Sequence, residues 1–139
     1  MAADKYGYRE GPRTLMTYGV DSSSAAIAAG DHVKFVTAGY VGICSAGDNP
    51  IGVAVSVQTA GSSDGDTKVL VDVNEWSVYE YPPASGTLTV AMIGTTCDLG
   101  GARSIDITAS ADDNVIIVNV DTTNNTALIR HSYPHSGVV

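Results

Sequence analysis

Cationic side chains are scarce in this chain: 7 Lys and Arg stand against 15 Asp and Glu, a formal charge of -8. A nucleic-acid backbone is bound by clustered cations that release counterions, so neither DNA nor RNA is the expected partner. Long apolar runs are missing too. No stretch approaches the ~20 residues that cross a bilayer as a helix, and none follows a charged n-region with an apolar h-region. Membrane insertion and secretion are therefore not expected. Cysteine is limited to Cys44 and Cys97, and two thiols without nearby His partners fall short of a structural zinc site. Two buried or half-buried free thiols are expected, with a disulfide closing a long loop as the alternative. No long amphipathic helical pattern occurs.

What the chain does have is β-strand pattern between turn residues. Val69 to Val73, Ile105 to Thr108 and Val115 to Val120 are rich in β-branched residues, and Gly, Ser, Asp, Asn and Thr separate them. Further strands are expected at His32 to Val36, Tyr40 to Cys44, Ile51 to Val57, Glu75 to Tyr81, Thr87 to Ile93, Arg103 to Thr108 and Thr126 to His131. Within 51–57 the alternation puts Ile51, Val53, Val55 and Val57 on one face. Gly52, Ala54 and Ser56 form the other, small enough for close approach by another layer. Ser22 to Ala29 reads as a loop or one helical turn, and Asp121 to Asn125 as a hairpin connection. Pro82-Pro83 stops the strand before it, since neither residue has an amide to donate. Strands this short and frequent predict an all-β fold, a small compact β-barrel or β-sandwich.

Residues 1–20 read differently, as an extended N-terminal arm before a single β domain over 21–139. Tyr6, Tyr8, Arg9, Arg13 and Tyr18 are interspersed there with Gly7, Gly11 and Pro12. In a monomer such a segment is a frayed terminus; Tyr and Arg are also enriched at buried interface centres, so the favoured expectation is an arm that lies across a neighbouring subunit and gains order on assembly. Trp76, Tyr79 and Tyr81 are the aromatic candidates for subunit packing.

Four segments carry a resemblance: Ala29-Gly30-Asp31-His32-Val33, Gly39-Tyr40-Val41, Asn49-Pro50-Ile51-Gly52-Val53-Ala54, and Asp66-Thr67-Lys68-Val69-Leu70-Val71. Together they resemble the capsid decoration, or cement, proteins of tailed bacteriophages, in which a G-D-x-V strand start and an I-G-V-A strand recur within a β domain preceded by an arm. The resemblance covers residues 29–73 and is loose beyond them. It implies a virion protein on the outer surface of an icosahedral capsid, commonly a homotrimer, that bridges neighbouring copies of the major capsid protein. It implies no cofactor and no catalytic residue.

Other chemistry is less well supported. His32, His131 and His135 with Ser132, Ser136, Asp31 and Asp121 supply the residue types of a hydrolase triad, but geometry and not composition defines one. His32 is expected to be an exposed strand-start residue, and His131 and His135 to lie in a terminal tail, so no enzyme is expected. Asp64, Asp66 and Asp72, or Asp112, Asp113 and Asp121, could supply oxygens to calcium, yet neither set has the spacing of an EF-hand loop. A carbohydrate-binding or adhesion module built on Trp76, Tyr79 and Tyr81 is the main alternative. Strand alternation counts against it, because Trp76 and Tyr79 should point to opposite faces.

Overall fold

The computed structural model describes residues 7–131, and Tyr6, Ser132, His135 and Ser136 lie outside them. The fold is all-β, as expected, in two packed units. One is a barrel of β2 (Leu15–Val20), β4 (Tyr40–Ile43), β3 (His32–Thr37), β5 (Gly52–Ala54) and β6 (Lys68–Asp72), closed in that order. The other is a six-stranded sheet. Its order is β1 (Gly7–Glu10), β7 (Val78–Tyr81), β11 (Thr126–His131), β10 (Val115–Asp121), β8 (Thr96–Gly101) and β9 (Ser104–Asp106). Neighbours pair antiparallel throughout, except that β2 runs parallel to β4.

Each unit buries its own apolar cluster. Val20, Ile27, Val33, Val41, Ile51, Val69 and Val71 fill the barrel. Leu88, Leu99, Ile105, Val115, Ile117 and Ile129 build the second cluster, which also takes Cys44 and Val53 from the barrel side. β5 therefore serves both clusters. Its Ala54 packs into the barrel and its Val53 against the sheet; the strand expected over 51–57 is limited to these three residues, with Ile51 in the barrel cluster beside Ala54 and Val57 72% exposed. The small face is needed for closeness: a methyl group on Gly52 would collide with the Asp72 carbonyl of β6. The two-residue link Ala38-Gly39 turns β3 into β4, with Gly39 at φ 84° supplying the left-handed backbone. Asp121 to Asn125 closes the β10–β11 hairpin, where the Asp121 carboxylate accepts from the Thr123 and Asn124 amides.

Three expectations change. The boundary at residue 20 does not hold, because β1 pairs with β7 and β2 closes the barrel along its whole length against β6. Gly11 and Pro12 mark the crossing from sheet to barrel and not the looseness of an arm. Thr87 to Ile93 is no strand: it holds a 3-10 turn, Val90–Met92. Leu88, in the irregular stretch before the turn, and Met92 at its end are the members that pack on the sheet's cluster. Between 75 and 81, pairing begins only at Val78. Trp76 sits in a turn before it, its amide donating to Asn74 Oδ1 at 2.8 Å.

Candidate functional site

The crossing from β1 to β2 gathers four of the eight residues singled out in the sequence. Tyr8, Arg9, Arg13 and Tyr79 line one cleft with Gly7, Ala29, Gly30, Ala54 and Val55, enclosing about 280 Å³. That volume falls just below the ~300–1,000 Å³ of typical small-molecule sites. The guanidinium of Arg13 lies 4.0 Å from the centre of the Tyr8 ring, and Tyr8 meets Tyr79 edge to face at 5.8 Å. The cleft is electrically balanced. Arg9 Nε donates to Glu80 Oε1 at 2.7 Å, and Arg13 Nε to Asp72 Oδ2 at 3.3 Å.

Asp72 holds this region together, although sequence pattern offered only a calcium role for it. Its carboxylate is buried, with 1% of the residue exposed. Besides Arg13 it accepts from the Tyr79 hydroxyl at 2.6 Å, Ser77 Oγ at 2.7 Å, and the amides of Thr14 at 3.1 Å and Asn74 at 3.0 Å. Burial pushes its pKa up, but these donors outweigh burial and hold it below the ordinary 3.8. A carboxylate inside the apolar run 69–73 was the signal available in sequence, since a charge buried there needs partners. Those partners lie up to 59 residues away along the chain, beyond the reach of any local pattern.

The aromatic candidates separate. Tyr79 and Tyr81 are fully buried, so neither can pack against another subunit as expected. Tyr79 donates to Asp72, and Tyr81 to the Gly30 carbonyl at 2.7 Å. Period-two spacing puts both on the inward face of β7. Tyr18 meets Phe35 edge to face at 5.5 Å and packs on the barrel cluster. Trp76 is 57% exposed, with the Arg130 guanidinium 4.7 Å from its ring centre. No three-ring stacking platform forms.

The histidines overturn an expectation as well. His32 is buried, not exposed, and His131 ends β11 in the interior, not in a tail. Their Nε2 atoms lie 3.1 Å apart. His32 Nδ1 lies 3.0 Å from the Ala102 carbonyl. A carbonyl only accepts, so His32 carries its proton on Nδ1 and His131 donates from Nε2. Burial pushes the His32 pKa down to about 4, against smaller upward pulls from the Ala102 carbonyl and Asp31.

Cys44 and Cys97 are free and buried, as expected. Burial is the main cause that raises both pKa values, that of Cys97 to about 12. The two aspartate sets do not gather: Asp64 accepts from the Ser22 amide, Asp66 from the Ser63 amide and Asp113 from Thr96 Oγ1. Among the described residues no three His, Cys, Asp or Glu side chains converge on one metal position. The run Gly61-Ser62-Ser63-Asp64-Gly65 has G-x-S-x-G spacing, but it lies in a loop before β6 with no helix after it. The strand-to-helix turn of a nucleophile elbow is thus missing. No described helix is long and apolar enough to cross a membrane. Compared with protein-family models and with curated proteins, the chain matches none.

Proposed function

We propose that this chain is a non-catalytic capsid decoration protein that binds the outer surface of an icosahedral phage head. On this reading it acts as a homotrimer and ties neighbouring major capsid subunits together. The observation that carries the reading is the exposure of large apolar side chains on β2 and in the turn before β7: Leu15 is 46%, Met16 48% and Trp76 57% exposed. Large apolar side chains left in water are what a partner surface would cover. The segments that carry the resemblance supply the second support, because residues 29–73 contain β3, β4, β5 and β6, four of the five barrel strands.

Sugar recognition finds less support. Tyr79 and Tyr81 are interior, and Arg130 covers one face of Trp76. Co-sedimentation of the purified protein with empty phage heads tests the proposal. Saturable binding is expected, weakened at least tenfold by Trp76→Ala with Leu15→Ser. Failure of the unsubstituted protein to pellet with heads, together with retention on immobilised glycans, would replace it with the adhesion reading.

A further inference from the structure

We propose that the buried His32–His131 pair is an acid-operated latch between the barrel and the six-stranded sheet. Its two members come from different units, 99 positions apart in the chain: His32 opens β3 of the barrel and His131 ends β11 of the sheet. The rings meet edge to face with centres 5.2 Å apart, and His32 also lies 4.8 Å from the Tyr81 ring. His131 has the Tyr79 ring 6.3 Å away. While both imidazoles are neutral the contact is satisfied, one nitrogen donating and the other accepting.

A proton taken up by His32 enters at Nε2, placing a charge among tyrosine rings and setting an N–H donor against the Nε2–H of His131. That step costs less once the His32 ring meets water, so the proton favours the open form.

The ionisable groups described around His32 do little to offset that cost. Asp31 precedes His32, but its carboxylate is engaged by Arg103 from the β8–β9 turn and by the Ala28 amide at 2.8 Å. Tyr79 and Tyr81 approach from β7, and both stay neutral because burial raises their pKa. Cys44, whose amide donates to the His32 carbonyl at 2.9 Å, is neutral for the same reason. Asp72 sits further along the same boundary with its charge spread over its own donors.

The sign follows directly. The folded-state pKa of His32 lies below the ordinary 6.5, so its contribution to stability is complete above pH 6.5 and is lost as pH falls toward 4. Between pH 7 and pH 5 this one group should raise the unfolding equilibrium constant about 20-fold.

The test compares the unsubstituted chain with His32→Gln, whose amide can donate to Ala102 and accept from His131 but takes no proton. Urea unfolding at pH 7 and pH 5 should show the unsubstituted chain losing about 20-fold more than the variant. Equal losses would overturn the proposal. A ring-carbon NMR titration of the unsubstituted protein needs no variant. His32 should stay neutral in the folded state down to about pH 5, and new signals from an opened form should appear below that. A His32 ring titrating smoothly near 6.5 in the intact fold would also overturn it.

Discussion

Asp72 shows how one side chain sets the geometry of its surroundings. Five donors from the β1–β2 crossing, the turn after β6, and β7 converge on it. Asp72→Ala removes the acceptor of the buried Tyr79 hydroxyl and one acceptor of the buried Ser77 hydroxyl, while Arg13, Thr14 and Asn74 can turn to water, and a loss of about 2–4 kcal/mol is expected in urea unfolding. Tyr79→Phe removes one bond to the charge and should cost about 1.5–3 kcal/mol. The carboxylate's pKa is lower in the folded chain than the ordinary 3.8. Its stabilisation is therefore present above that value and disappears as pH falls through the folded one. Asp72→Asn should flatten the stability curve below about pH 4 while leaving the histidine-dependent slope at higher pH intact. Trp76 is the contrasting case. Exposed and touched by one guanidinium, it should cost at most about 1 kcal/mol when changed to Ala, so weakened head binding by that variant would report contact and not unfolding.

Elements with two-residue alternation and turn punctuation could be read from the sequence. β3, β4, β6, β10 and β11 lie where the pattern puts them, and the β10–β11 hairpin follows from its Asp and Asn residues. β8 was missed because Thr96–Gly101 ends in two glycines and holds only Leu99 and Cys97 as inward apolar residues. β1 and β2 were missed because their partners, β7 and β6, come more than fifty residues later. The cleft was half legible for the same reason. Its Tyr and Arg residues stood out as a group, but their acidic partners Glu80 and Asp72 did not. β5 shows tight packing predicted and found. Gly52→Ala should destabilise by about 1–3 kcal/mol through overpacking, readable as a lower urea midpoint with an unchanged slope.

At the scale of the whole molecule, two apolar clusters meet across a boundary that holds Cys44, Val53, Tyr81 and the histidine pair. The free thiols report on it. Burial keeps both protonated at neutral pH, so neither should react with a thiol reagent in the folded chain, and both should react once urea opens it. Rapid labelling of either thiol in the native protein would contradict the packing described. A latched pair of units also suits a protein that serves as a surface: strands hold exposed apolar side chains in place, and distributed contacts over a lattice of identical sites strengthen weak individual ones.

The measurement that bears most directly on capsid decoration is cryo-electron microscopy of phage heads carrying this protein, set beside heads from which its gene has been removed. Density is expected on the outer surface that is lost in the deletion, returns when purified protein is added, and brings Trp76 against the shell. Identical shells with and without the protein would contradict capsid decoration.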